Sequence, residues 1–274
     1  MQHWFTYPNI DSVAFRVGPV PVHWYGLSYI FGFLCVYLWM SRPAGRRRLG
    51  LSAEQIQDFM VYSLVGVLIG GRTVFVIADI ISHNNAAEYF SHPLNLIAVW
   101  NGGMAFHGGL AGVLIAIALF VRKHPGLTFP VLADEVVMLG PIAIATTRLV
   151  NFINDELPGK VCHPDQPWCI KFPLFAGYRY PSQIMEGILD LLVLPVLFVL
   201  YRSRPADGVV AWTWFTLYGV ARTVAEFWRD PTTIVPVIYL TPAQLLSITM
   251  IVIGVIMVVR SARMNPHTWP READ

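Results

Sequence analysis

The chain has 274 residues, of which 55% are apolar and 13% are Asp, Glu, Lys or Arg, for a formal net charge of +2. Its mean hydropathy is +0.53. A soluble domain has a charged fraction nearer ~25%, so these values exclude a disordered chain and an ordinary soluble enzyme. So small a net charge projects no field toward a polyanion, and no nucleic acid is expected as a partner.

Seven stretches supply the ~20 mostly apolar residues that a membrane helix needs. They lie at about 22–41, 57–81, 104–122, 129–149, 183–202, 208–228 and 242–260. The expected fold is all-α: one polytopic membrane domain over 1–274 with seven transmembrane helices. Residues 150–182 are expected as a long outer loop, functional or folded into a cap, between the fourth and fifth spans. The segment before the first span contains Pro8, Asp11 and Arg16. It lacks the basic start and short apolar core of a cleaved leader, so the first span is expected to stay.

Short loops set the orientation through their Lys and Arg content. Arg42, Arg46, Arg47 and Arg48 follow the first span, and Arg122 and Lys123 the third. Arg202 and Arg204 follow the fifth span, and Arg260, Arg263 and Arg271 end the chain, whereas residues 82–103 have no Lys or Arg. The N-terminus is therefore expected in the periplasm, with the C-terminus in the cytoplasm. Pro93 to Gly103, an apolar piece containing Trp100, is expected as an interfacial or re-entrant helix ahead of the third span.

Cys35 falls inside the first span and is expected to fill space. Cys162 and Cys169 share the outer loop, where an oxidising compartment permits a disulfide; two free thiols are the alternative. His163 lacks companions for a zinc site, and no metal or other cofactor is expected.

Ionisable groups are costly inside lipid and tend to mark sites. Here they gather at one depth, toward the outer side: Tyr25, Arg72, His107, Arg148, Gln183, Glu186, Tyr218, Arg222, Glu226, Arg229 and Gln244. Tyr218, Arg222, Glu226 and Arg229 form one helical stripe, with Arg222–Glu226 at i, i+4 and Glu226–Arg229 at i, i+3. Such a stripe is either a self-neutralising ladder or, because arginine outnumbers glutamate on it, the seat of an external anion. A lipid phosphate suits guanidinium forks. His107 lies between Gly102-Gly103 and Gly108-Gly109, where missing side chains allow close approach. Its imidazole is either a satisfied structural group or a base able to work near neutral pH.

Motifs in order along the chain resemble bacterial phosphatidylglycerol–prolipoprotein diacylglyceryl transferases. They are Pro21-Val22-His23-Trp24-Tyr25-Gly26, Gly70-Gly71-Arg72, the glycine-flanked His107, Asp134 and Pro141. The stretch from Arg148 through Asn151, Asn154, Asp155 and Glu156 to Gly159 follows. Tyr180-Pro181-Ser182-Gln183 with Glu186, Arg229-Asp230-Pro231 and Gln244-Leu245-Leu246-Ser247 complete the set. The resemblance implies a seven-helix transferase of the bacterial inner membrane, with residues 150–182 supplying a small periplasmic head. It would move diacylglycerol from phosphatidylglycerol to the lipobox cysteine in the signal peptide of a prolipoprotein. His107, Arg148, Arg222 and Tyr25 would then be catalytic. Arg72, Asn151, Asn154, Glu156, Gly159, Gln183, Tyr218, Glu226 and Arg229 would bind substrate and membrane lipid.

Thr147, Val150 and Asp155 stand where the family usually has glycine, and Tyr180 where it has histidine. These departures keep a second reading open, a divergent paralogue with an altered lipid or peptide substrate or weak activity. A lipid-binding or transport protein without catalysis is the reading from another class, although no repeated halves support it.

Overall fold

The computed structural model describes residues 6–99, 102–166, 168–230 and 240–269. Trp100, Pro231 and Arg271, used above, lie outside the described residues. The chain opens with the hairpin β1 (Val13–Val17) and β2 (Val20–His23), which leads into α1 (Trp24–Ser41), α2 (Pro43–Leu49) and α3 (Ala53–His83). Next come α4 (Ala86–Ser91), a 3₁₀ turn (Pro93–Leu96), α5 (Phe106–Lys123), α6 (Phe129–Val137) and α7 (Gly140–Ile153). A second hairpin, β3 (Ile170–Lys171) and β4 (Tyr178–Arg179), precedes α8 (Ser182–Arg202), α9 (Val209–Ala225) and α10 (Pro242–Met264).

Among the described residues five helices, α1, α3, α5, α8 and α10, are long and apolar enough to cross a membrane. The pair α6 and α7, bent by 45° at its break, makes a sixth candidate if read as one span. Large apolar side chains on these helices face outward: Ile69 is 63% exposed, Val199 71% and Ile81 77%. In water that surface would aggregate, whereas lipid tails cover it without penalty.

The structure corrects the expected element boundaries in three places. A continuous helix over 129–149 is interrupted at Met138 and Leu139, and Pro141 sits in the first turn of α7. Proline lacks the N–H that a continuing helix needs, but a first turn leaves that donor idle. Because α7 runs on to Ile153, the first residues of the 150–182 segment are helical. The expected sixth span, α9, has 17 residues and ends at Ala225 rather than near 228; that is a rise of ~26 Å. The all-α expectation gains two small antiparallel hairpins.

The chain divides into two compact units, Met1–Trp39 with Asp134–Asp274, and Met40–Ala133. In the second unit, α3 and α5 meet through facing glycines, Gly66 and Gly70 on one helix and Gly108 and Gly112 on the other. A Cβ on Gly70 would press on the Gly108 carbonyl, and one on Gly112 on the Gly66 carbonyl. Small residues at four-residue spacing let two backbones approach this closely, where dispersion replaces the absent hydrophobic drive in lipid. A capping box starts α3: the Ser52 hydroxyl accepts from Gln55 N at 3.1 Å and Gln55 Oε1 from Ser52 N at 2.8 Å.

In the first unit, Met138, Val193, Leu197 and Val210 form a core backed by Trp39 and Trp214. Asp134, fully buried, accepts from Gly208 N at 2.9 Å and Ala211 N at 2.8 Å. It thereby caps α9 from another helix, and the residue at the α9 N-cap, Gly208, has no side chain to do so. Replacing Asp134 with Ala strands two buried donors, a cost of ~2–6 kcal/mol at ~1–3 each. The expected result is a lowered Tm of the detergent-solubilised protein, with Asp134→Asn falling less.

The N-terminal segment packs against the end of α7 and the segment that follows it. Tyr7 donates to Ile153 O at 2.7 Å, and its ring packs against Phe152 and Phe172, both at 5.5 Å. Burial, reinforced by the nearby Asp155 charge, pushes the Tyr7 phenol above its usual value, so it stays a donor at neutral pH. Of the two alternatives for Cys162 and Cys169, the structure has the disulfide.

Candidate active site

The first unit draws polar side chains from seven segments into one network of two lobes. Its centre is Glu186, near the start of α8 and 1% exposed. Arg148 of α7 places Nη2 at 2.7 Å from Glu186 Oε1, and Arg229 places Nη1 at 3.1 Å from Oε2. Arg222 of α9 brings Nε to 3.8 Å from Oε1 and pairs more closely with Glu226, at 2.6 Å. Glu226 in turn accepts from the Thr241 hydroxyl at 2.8 Å, at the capping box that starts α10. Gln244, the other half of that box, has a capping function.

The stripe expected on the sixth span is therefore only half right. Arg222 and Glu226 pair as their i, i+4 spacing requires. Arg229 does not close onto Glu226, because α9 ends at Ala225 and helical register is lost; it crosses to Glu186 instead. Backbone pairing holds it there. Gly159 and Arg229 form an isolated antiparallel bridge, Gly159 N donates to Tyr180 O at 2.8 Å, and Lys160 N to Trp228 O at 2.7 Å. A Cβ on Gly159 would meet the Trp228 carbonyl and the Tyr180 Cβ. Gly159 thus permits close approach of two strands of backbone. Asp230 accepts from Arg179 Nη1 at 2.8 Å, which ties the same segment to β4.

A second lobe surrounds Glu156. Its Oε2 accepts from the Tyr25 hydroxyl of α1 and from Asn151 Nδ2 at 3.1 Å, while Oε1 accepts from Asn154 Nδ2 at 3.3 Å. Gln183, 1% exposed, donates to the Glu156 backbone carbonyl at 2.5 Å. Asn151 joins the lobes: Nδ2 reaches the Tyr25 hydroxyl at 2.5 Å and Oδ1 accepts from Arg148 Nη1 at 3.5 Å. Tyr218, one turn before Arg222, stacks on Trp214.

The departures from family glycines are accommodated. Thr147 and Val150 lie in regular α7, with Thr147 Oγ1 bonded to Ala143 O at 3.0 Å, and neither needs positive φ. Asp155 does sit at φ 55°, a conformation glycine adopts freely and aspartate tolerates. Its carboxylate accepts from Leu174 N at 2.6 Å, a contact glycine cannot make.

Arg72 and His107 belong to the second unit. Arg72, 8% exposed, donates to the carbonyls of Asn95, Leu96, Gly102 and Gly103, and its guanidinium lies 5.3 Å from the Phe75 ring. It organises the Pro93–Gly103 stretch, where the structure corrects the expected helix: among the described residues the one regular element is the 3₁₀ turn Pro93–Leu96, and Arg72 takes up carbonyls that a regular helix would have paired. His107 is the second residue of α5 and exposed. Ala105 N bonds to Gly71 O at 2.9 Å, which anchors the start of α5 on α3.

Two buried carboxylates weigh more than sequence alone indicates. Glu186 is the hub of the cationic lobe and not merely a nearby counter-charge. Asp190, one turn further along α8 on the same face, is 2% exposed and its Oδ2 has no hydrogen-bond partner among the described residues. The i, i+4 spacing of two acids inside an apolar span is a readable sign. Among the described residues no group of three His, Cys, Asp or Glu could hold a metal ion.

Fold and site together define a polytopic membrane protein with a buried network of arginines and carboxylates among its helices. The family model described as prolipoprotein diacylglyceryl transferase matches residues 12–260. A phosphatidylglycerol–prolipoprotein diacylglyceryl transferase of Geobacter sulfurreducens is 42% identical over 262 residues, 94% of this chain and 97% of that protein. Proteins of the same name from Legionella pneumophila (strain Lens) and Rhodospirillum centenum are 39% and 37% identical. Those matches cover 91% and 97% of this chain, and 96% and 97% of the relatives. The chain belongs to the prolipoprotein diacylglyceryl transferase family.

Proposed function

We propose that this chain moves the diacylglyceryl group of phosphatidylglycerol onto the lipobox cysteine of a prolipoprotein signal peptide. The carrying observation is the convergence of Arg148, Arg222 and Arg229 on one buried carboxylate, Glu186. With Glu226, two carboxylates face three guanidinium groups, and the paired set keeps one positive charge. A phosphodiester carries one negative charge and offers oxygens that match a guanidinium fork. Arg148 and Arg222 hold that phosphate, with Arg229, Glu226 and Tyr218 shaping its seat. Tyr25, Asn151, Asn154, Glu156, Gly159 and Gln183 form the wall beside it. Arg72 orders the loop ahead of His107.

His107 takes the proton of the incoming thiol, because the thiolate is the nucleophile. The sulfur attacks the glyceryl carbon that bears the phosphate, forming C–S while C–O breaks. The departing glycerol phosphate either carries off the extra charge, stabilised by the arginines, or receives the proton from the imidazolium. The same reading places the protein in the bacterial inner membrane. It has seven spans, a periplasmic N-terminus, a cytoplasmic C-terminus and a periplasmic head within 150–182 of one domain over 1–274.

Incubation of the purified protein with labelled phosphatidylglycerol and a lipobox peptide tests the reaction. Mass spectrometry is expected to find diacylglycerol on the peptide sulfur and none on a Cys-to-Ser peptide. Lipid movement between vesicles without a thioether product would reject the proposal in favour of transport.

His107→Ala is expected to lower transfer by ~10²–10⁴-fold near neutral pH, the usual weight of a general base. A free thiol has pKa ~8.5 and ionises unaided above it. The deficit should therefore shrink by about tenfold per pH unit up to that value. A deficit that stays constant from pH 6.5 to 9 would remove the base assignment.

A further inference from the structure

A second cationic site lies wholly within the Met40–Ala133 unit, apart from the residues assigned to transfer. The end of α2, the start of α3 and the end of α5 line an open cavity of ≈ 440 Å³. Arg47, Arg48, Lys123 and His124 line it with Gln55, Leu127 and the turns at Gly50 and Gly126, and no carboxylate lines it. Arg48 is 5% exposed and forms part of the wall.

Lys123 and His124 are held by neutral partners. Lys123 Nζ bonds to the Tyr62 hydroxyl at 2.5 Å and lies 5.2 Å from that ring's centroid, which uses one of its three donors and none of its charge. His124 stacks on Phe120 at 4.0 Å and gives its Nδ1 proton to Phe120 O at 2.8 Å, so Nε2 is the ring's open position. Arg47 is exposed and, among the described residues, has no ion pair. The start of the 31-residue α3 adds its positive dipole end.

Lys123 continues a stripe of α5 at four-residue spacing, with Ile115 59% and Leu119 45% exposed. Basic cavity and apolar track thus meet at one end of this unit. Both features suit a phospholipid, with its phosphate in the cavity and a chain along α5.

We propose that this cavity binds the phosphate of an anionic phospholipid, in the leaflet facing the arginine-rich loops, as a site separate from the transfer site. The soluble source of the same chemistry is inorganic phosphate.

Native mass spectrometry of the full chain in detergent tests this, with dioleoyl phosphatidate, dioleoyl phosphatidylcholine and inorganic phosphate as probes. The double variant Arg47→Gln with Lys123→Gln is expected to bind phosphatidate at least tenfold less tightly than the parent. Phosphatidylcholine retention should not change. Peptide transfer at saturating phosphatidylglycerol should also persist, so this site and the transfer site fail separately. Inorganic phosphate that displaces phosphatidate from the parent but not from the double variant would support the cavity with a soluble ligand. Equal phosphatidate binding by parent and variant would overturn the proposal. Should the double variant not fold, the single variants Arg47→Lys and Lys123→Arg, which keep charge, are expected to retain binding, and each glutamine single to weaken it.

Discussion

Replacing Glu186 with Gln is expected to reduce transfer by at least ~10²-fold and to destabilise the bundle. Three guanidinium groups from α7, α9 and the segment after α9 share that one carboxylate. Removing one partner of a buried pair costs ~3–5 kcal/mol, because the remaining charges stay buried without compensation. Here the loss spreads over three arginines that repel one another, so the upper part of that range applies. Part of the cost returns when an anion enters. The variant should therefore be rescued in stability by phosphatidylglycerol more than the parent is. Thermal denaturation with and without the lipid, beside the transfer assay, checks both halves. A Glu186→Gln protein with unchanged Tm and unchanged rate would show that the hub is not what arranges the arginines.

Gly112→Val is the other substitution with a large expected effect. The valine side chain has no room against the Gly66 carbonyl, so α3 and α5 must part along the seam formed by Gly66, Gly70, Gly108 and Gly112. Overpacking alone costs ~1–3 kcal/mol, and the dispersion forfeited as the two backbones separate adds to it. His107 immediately precedes Gly108 at the start of α5, so its position depends on the same seam. The expected outcome is a lower Tm together with transfer reduced by at least ~10-fold. Gly109→Ala is the control: its nearest neighbour is Val67 Cγ1 at 3.6 Å from an added Cβ, an ordinary contact. A fall in activity in the control as large as that in Gly112→Val would argue against the seam.

Arg148, Arg222, Glu226, Arg229, Gln183 and Tyr25 are legible as candidates in the chain alone, because ionisable and amide groups inside apolar runs are expensive and therefore few; Asn151, Asn154 and Glu156 lie beyond those runs and stand out only through the family resemblance. The structure brings these together around Glu186 and Glu156. Arg72 illustrates a limit. Its charge is legible, yet four backbone carbonyls receive it, and no local pattern announces carbonyls 23 to 31 residues away. The glycines at spacing four are also present in the sequence, but only their apposition gives them meaning.

Composition and hydropathy period determined that this chain lives in lipid, where its helices run to within a few residues, and which polar groups need an explanation. Those properties depend on near neighbours and on the cost of burying charge, both of which are local. Tertiary structure decided which acid pairs with which arginine, that Arg229 leaves its own helix stripe for Glu186, that Asp134 caps a distant helix, and that α6 and α7 break apart. Each of these depends on how separate segments are placed in space, and in a low-dielectric bundle a shift of a few ångströms decides whether two charges attract or strand one another.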